Sequence, residues 1–334
     1  MAEIQSINEQ EVIEHEKSQV VYTPGQLVIK RFFRNKLAIL GLGIIIAVVL
    51  FAVIGPMISP HGESEIFYKN DSTGEIFSGT KEPEKLKDIA NVGVYVKGEM
   101  DSQFWLGTDA NGMDTFTRLM YGCRISLMFS IVVTIIEMLL GITLGGIAGY
   151  YGGKVDMIIM RLVEIFYCIP FVPLMLLVST MMVAFGILPE QKIYWLMMIM
   201  GFFNWSGVAR MVRGQVLTIR EMDYMQAAEA GGISVRRKIF KHLIPNAMPV
   251  IIVMASMDLG SFILTESTLS YLGVGISTPF ASLGTMIQAV NQSVILKNYL
   301  NLWIPPGIML LLIVLAFNFI GDGLRDAFDP KMKR

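Results

Sequence analysis

Long apolar runs alternate with short polar, cation-rich segments along most of the chain. Leu37 to Ile58 is apolar and free of charge. Ile125 to Tyr151 carries a single charge, Glu137. Met157 to Leu188 holds Arg161 and Glu164 near its start and none afterwards. Ile193 to Ala209 is shorter, Leu243 to Leu272 contains Asp258 and Glu266, and Asn298 to Gly321 is uncharged. A helix needs about 20 mostly apolar residues to cross a bilayer core, so these runs predict an all-α integral membrane protein with about six transmembrane helices. Pro170 and Pro173 interrupt the third run and Pro305-Pro306 the sixth. Proline removes a backbone donor, so each site predicts a kink, either to fit neighbouring helices or to line a cavity.

The polar segments set the orientation. Lys and Arg resist translocation and collect on the cytoplasmic side. Lys30, Arg31, Arg34 and Lys36 precede the first run and place the N-terminus inside. Lys154 marks the next inner turn, and Arg210, Arg213, Arg220, Arg236, Arg237, Lys238 and Lys241 mark the one after. Arg325, Lys331, Lys333 and Arg334 place the C-terminus inside as well. The expected organisation is a cytoplasmic tail and interfacial helix over 1–36 and a first transmembrane helix over 37–58. An extracellular loop or small cap follows over 59–118, rich in Glu, Asp and turn-formers. A five-helix core over 119–322 contains a cytoplasmic loop at 216–245, and 323–334 is a second cytoplasmic tail. The first apolar run has no small-residue cleavage site behind it, so it reads as an anchor that stays in the membrane.

Composition agrees: 53% of the 334 residues are hydrophobic and 16% charged, against roughly 25% charged in a soluble domain. The net charge of -1 gives no sign of a nucleic-acid partner. Cys123 and Cys168 form no CxxC pair, and His15, His61 and His242 are far apart, so neither a disulfide framework nor a metal site is expected. No GxxxxGK[ST] loop occurs, since Gly149 to Lys154 lacks that spacing, and nothing resembles a hydrolytic triad.

Four features carry candidate chemistry. Gly141, Gly145, Gly149 and Gly153 recur every four residues. One helix face of glycines lets a neighbouring helix approach closely, or lines a moving pathway. Glu137, Asp258 and Glu266 lie within apolar runs, where ionisable side chains are costly, and are candidates for a polar pathway. Arg161 and Glu164, three residues apart, can pair on one helix face. The loop Thr218 to His242 is the most informative segment. Its stretch from Tyr224 through Gln226, Ala227, Ala228 and Glu229 favours a short helix that Gly231-Gly232 stops. Small side chains there present a low-relief surface suited to another protein's groove. The basic residues after it either meet lipid phosphates or only mark the inner side.

At that loop the chain resembles a known family. Gln226-Ala-Ala, Gly232 and Leu243-Ile-Pro245 resemble the EAA motif of ATP-binding-cassette (ABC) importer permeases. The chain is similar in particular to the C-type permeases of oligopeptide, dipeptide and nickel importers. Further matches are Arg34-Asn-Lys-Leu-Ala-Ile-Leu-Gly, Leu106-Gly-Thr-Asp and Tyr121-Gly-Cys-Arg-Ile-Ser-Leu. Gly149-Tyr-Tyr-Gly-Gly, Val208-Ala-Arg-Met-Val-Arg-Gly, Tyr271-Leu-Gly-Val-Gly and Gly321-Asp-Gly-Leu-Arg-Asp follow in the family's order. The resemblance covers residues 27–60 and 104–334. Two departures stand out: Gln226 replaces the motif's first Glu, and Gly62 to Gln103 does not match.

The resemblance implies a type I ABC importer permease fold in the cell membrane, paired with a second homologous permease. It implies two ATPase subunits that carry ATP and Mg, with no cofactor on this chain, and an extracellular substrate-binding protein. It assigns ATPase coupling to Tyr224, Gln226, Ala227, Ala228, Glu229, Gly231, Gly232 and Pro245. It places binding-protein contact near Leu106 to Asp114 and Ser277 to Lys297. Peptide is the expected cargo, with nickel or another small polar solute as the alternative. A proton-coupled secondary transporter using Glu137, Asp258 and Glu266 as a relay is the rival class. It predicts no ATPase, and the missing inverted repeat and the Ala-Ala-Gly loop count against it.

Overall fold

A computed structural model describes residues 23–87, 92–96, 100 and 102–329 of the chain. Residues 1–22 of the cytoplasmic tail expected within 1–36, and the terminal residues Lys331, Lys333 and Arg334, lie outside the described residues. Helix α1 (Pro24–Phe32) opens with a capping box in which Thr23 and Gln26 satisfy each other's backbone N–H groups. Asn35 then accepts from the N–H groups of Leu37 and Ala38 and starts α2 (Lys36–Ile58).

The segment after α2 is not helical. It folds as a three-stranded antiparallel sheet of β1 (Phe67–Asn70), β2 (Ile76–Ser78) and β3 (Val92–Val94), in the order β2-β1-β3. Asn70 drives the first turn: its side-chain oxygen accepts from the N–H groups of Ser72 and Thr73, and Gly74 takes φ 73°. Phe67, Tyr95 and Phe104 form the small core beneath. This cap amends the all-helical expectation.

The core begins with α3 (Thr115–Tyr151), whose first turn is capped by Asp114. Then come α4 (Gly153–Cys168), α5 (Phe171–Ala184), α6 (Pro189–Arg220) and the short α7 (Asp223–Ala230). Helix α8 (Val235–Tyr271) includes a π turn at Lys238–Leu243. After a loop come α9 (Leu283–Ile287), α10 (Ser293–Asn298) and α11 (Leu300–Phe328).

Four of these helices, α2, α3, α8 and α11, are long and apolar enough to cross a membrane, and a fifth span is counted if α4 and α5 form one broken unit. The expected third span, Met157 to Leu188, is therefore not one straight helix: it bends by 77° at Ile169-Pro170. Proline at that position cannot continue the hydrogen-bond ladder. The expected fourth span lies inside α6, which is 32 residues long but less apolar than the others. Its sequence tolerates Asn204 and Ser206 because one face of α6 packs against protein, with Met197, Met200, Ser206, Val208 and Val212 all buried. Asn204 satisfies its amide on the Met200 carbonyl at 2.8 Å.

The two ends of the described chain meet. Arg31 donates to the Asp329 carbonyl at 3.0 Å, and Asn35 donates to the Asp326 carboxylate at 3.2 Å. Both ends therefore lie on one side of the membrane, the side to which the cation clusters assign them.

Candidate functional site

Helix α7 hangs below the core on a single apolar anchor. Met225 is buried with Val216, Ile219, Ile239 and Leu243, while Tyr224, Gln226, Ala227 and Glu229 remain exposed and Ala228 half-buried. Its C-terminus closes as a Schellman turn. The Ile233 N–H donates to the Ala228 carbonyl at 3.2 Å and the Gly232 N–H to Glu229 at 3.0 Å, with Gly232 at φ 67°. Gly232 takes the left-handed conformation that a Cβ disfavours. Gly231 has an ordinary backbone at φ -75°. Pro245 sits in the first turn of the straight part of α8 and is exposed.

Two residues that sequence reasoning did not single out hold this loop. Met225 is the lone apolar side chain between Tyr224 and Gln226, and that isolation was its only signal. Lys238, read earlier only as part of a basic cluster, is buried. Its ammonium lies 3.6 Å from the Glu229 carboxylate and 5.6 Å from the centre of the Tyr150 ring. Glu229 is thus partly occupied within its own chain.

The loop is wired to the core through α6. Arg220 donates to the Tyr150 carbonyl at 2.8 Å, and Arg213 forms a bidentate ion pair with Asp156 on α4. Above these contacts runs the glycine face of α3. A Cβ on Gly141 would fall within 2.6 Å of the Val208 side chain. On Gly145 it would collide with the Ala209 backbone, and on Gly149 it would meet Val216 at 2.8 Å. These three glycines let α3 and α6 form the most extensive helix contact in the chain. Gly153 does not join them. It lies past the end of α3, at φ 52° with no atom near its missing Cβ, because the chain reverses at Gly152-Gly153.

The three carboxylates of the apolar runs separate into two levels, with Glu137 and Glu266 buried and Asp258 half-buried. Glu266 is fully enclosed and accepts hydrogen bonds from Ser270 at 2.7 Å, Ser126 at 2.9 Å and Ser267 at 3.4 Å. Ser126 also accepts from the Leu283 N–H, so this cluster ties α3, α8 and α9 together. Glu137 and Asp258 lie deeper in the helices, within electrostatic reach of each other. Each has one buried oxygen without a hydrogen-bond partner among the described residues. Along α3, Glu137 follows Ser126 by 11 residues, or roughly 16 Å. A continuous relay through all three carboxylates is not what the geometry provides. Arg161 and Glu164 do pair, at 2.8 Å, on an exposed face of α4.

Comparisons with known proteins bear on this arrangement. Residues 141–334 match the model of the binding-protein-dependent transport system inner membrane component. Residues 23–75 match the N-terminal transmembrane domain of oligopeptide transport permease C. The dipeptide transport system permease protein DppC of Bacillus subtilis is 36% identical over 305 residues, covering 91% of this chain and 85% of the relative. The oligopeptide transport system permease protein OppC of the same organism is 35% identical, covering 91% and 88%. The Escherichia coli OppC is 34% identical over 302 residues, covering 90% and 89%.

Proposed function

The chain belongs to the family of binding-protein-dependent transport system inner membrane components, and from that membership we propose that it is one of two permease subunits of an ATP-driven importer of oligopeptides or dipeptides. The observation that carries this reading is α7, an exposed eight-residue helix on the cytoplasmic side with a rigid glycine turn behind it. Ala227 and Tyr224 are exposed and available to a groove on a separate ATPase, while Gln226 lies back across the end of α6.

In this mechanism ATP and Mg reside on two partner ATPases. Their closure pushes on α7. Met225 transmits the push to α6 and α8, and Arg213-Asp156 and Arg220 extend it to α4 and α3. The glycine seam lets α3 move with α6 as one body, because any sliding would meet the Ala209 backbone and the stiff β-branched side chains of Val208 and Val216. In this reading Glu137 and Asp258 border the pathway between the two permeases, each keeping one buried oxygen without a hydrogen-bond partner among the described residues. A binding protein delivers the peptide at the outer face.

Purification of this chain with its genomic neighbours and reconstitution in vesicles tests the reading. The expected product is one copy of each of two permeases with two ATPases, and peptide uptake that requires ATP and the binding protein. A homo-oligomer that transports without an ATPase, driven by a proton gradient, would refute it.

A further inference from the structure

A cavity of about 440 Å³ opens on the outer face, between the foot of α3 and the loops that flank α9 and α10. Its size falls within the range of small-ligand sites, roughly 300–1,000 Å³. Four carboxamides line it: Asn111, Gln288, Asn291 and Gln292. Asn291 accepts from the Tyr271 hydroxyl at 2.9 Å. The side chains of Asn111, Gln288 and Gln292 have no hydrogen-bond partner among the described residues. Each carboxamide offers both a donor and an acceptor, which is the complement of a peptide backbone.

The charges around the cavity are unequal. Arg118 forms part of the wall and is buried, but it is matched: it lies 3.4 Å from the Asp109 carboxylate and donates to the carbonyls of Pro279 and Glu63 at 3.0 and 3.3 Å. Lys192, at the start of α6, is not matched. It is 4% exposed, and its ammonium donates to the Ser277 hydroxyl at 3.2 Å without a carboxylate partner among the described residues. Ser277 itself lines the cavity. The Lys192 amine therefore stands one hydroxyl behind the wall with no counter-charge among the described residues, and burial disfavours its charged form. A buried cation without a counter-charge is costly to keep, so it favours the arrival of an anion.

We propose that this cavity is an entry subsite that takes the C-terminal end of the incoming peptide. The carboxylate turns toward the Ser277-Lys192 wall, and the last backbone amides pair with the carboxamides opposite. The proposal rests on the peptide-importer reading and adds a site and a polarity to it.

The test uses the whole reconstituted importer with p-benzoyl-phenylalanine in place of Gln292, which is exposed at the mouth. A radiolabelled tripeptide and its C-terminally amidated form are each supplied bound to the binding protein at saturation. Light should attach the free-acid peptide to this chain about tenfold more than the amide, as expected for one charge-assisted hydrogen bond. Lys192→Met should abolish that preference and Lys192→Arg should preserve it. Equal labelling by the two peptides in the chain that keeps Lys192 would overturn the subsite, whatever the Lys192 variants do. So would attachment of the binding protein in place of peptide, which would make the cavity a docking socket. If the unsubstituted importer takes up neither peptide, the importer reading itself falls and the subsite with it.

Discussion

The side-chain amide of Gln226 donates to the Glu221 carbonyl at 3.3 Å, which places the residue that departs from the family's EAA motif across the end of α6. A glutamate at this position has no proton to donate, and its charge would face the negative end of that helix. Gln226→Glu should therefore loosen the junction of α6 and α7 by about 0.5–1.5 kcal/mol, the usual worth of one exposed hydrogen bond. Substrate-stimulated ATP hydrolysis should fall by no more than a few-fold, because Met225 still anchors the helix. Complete loss of stimulation would show that Gln226 contacts the ATPase directly.

Adjacent glycines in the loop should respond differently. Gly232 lies at φ 67°, where a Cβ costs about 1–2 kcal/mol, whereas Gly231 lies at φ -75°. Gly232→Ala should reduce peptide uptake and ATPase stimulation together while the chain still reaches the membrane. Gly231→Ala should be milder, since its new Cβ meets the Ala227 carbonyl at 3.3 Å and the Ala228 carbonyl at 3.7 Å on an ordinary backbone. Ala227→Trp leaves the chain's own packing alone, because Ala227 is exposed, and should block ATPase docking. Uptake and stimulation that stay intact in both Gly232→Ala and Ala227→Trp would remove this loop as the coupling element.

The seam between α3 and α6 makes a sharper contrast. Gly145→Ala drives a Cβ into the Ala209 backbone, which cannot rotate away, and overpacking of this kind costs about 1–3 kcal/mol. One residue on, Gly146→Ala meets nothing nearer than Ile244 Cδ1 at 4.0 Å and gains helix propensity. The thermal midpoint of the purified complex should drop for the first and hold or rise for the second. A matching drop in both would mean that the seam is not what orders these helices.

The length of the apolar runs and the placement of Lys and Arg were enough to read most of the helices and which ends share a side, but the third run is two helices and the fourth lies in the less apolar α6. The boundaries were not, because α3 begins ten residues before Ile125, where Asp114 caps it, and capping geometry is invisible to hydropathy. Pro170 announced a break in the third run, but its 77° angle depends on what α5 packs against. The cap strands are only three or four residues long and held by long-range pairing, too short for a periodic signal. At the site, the Ala-Ala-Gly-Gly pattern exposed α7 and its turn directly. Met225, Lys238 and the isolation of Glu266 in its serine cluster depend on contacts between distant segments, and no local pattern encodes those. Gly153 shared the spacing of the glycine face, but helix α3 ends before reaching it.

Two carboxylates on the outer face, two residues apart, should give the cap opposite responses to pH. Burial pushes Glu63 above its ordinary value of 4.5, despite the Ala281 N–H that its carboxylate accepts and the nearby charges of Arg118 and Arg124. Its folded state thus holds a proton more firmly than its unfolded state, and stability falls as pH rises above 4.5 toward the raised value. For Glu65, burial also works against the charge, but Ser78, the Gly62 N–H and Lys81 at 2.9 Å outweigh it, and the net shift is downward. Its contribution is present above 4.5 and is lost as pH falls below that value. Amide hydrogen exchange of the cap in the intact complex, across about pH 3 to 7, separates the two. Glu63→Gln keeps an oxygen for the Ala281 N–H, so it should flatten the loss of protection on the alkaline side of 4.5 and leave the acid side unchanged. Glu65→Gln gives up the Lys81 ion pair and should lower protection at neutral pH while flattening the acid side. If Glu63→Gln instead weakens the cap at neutral pH, the carboxylate there is a favourable charge, and the assignment of burial as its dominant influence is wrong.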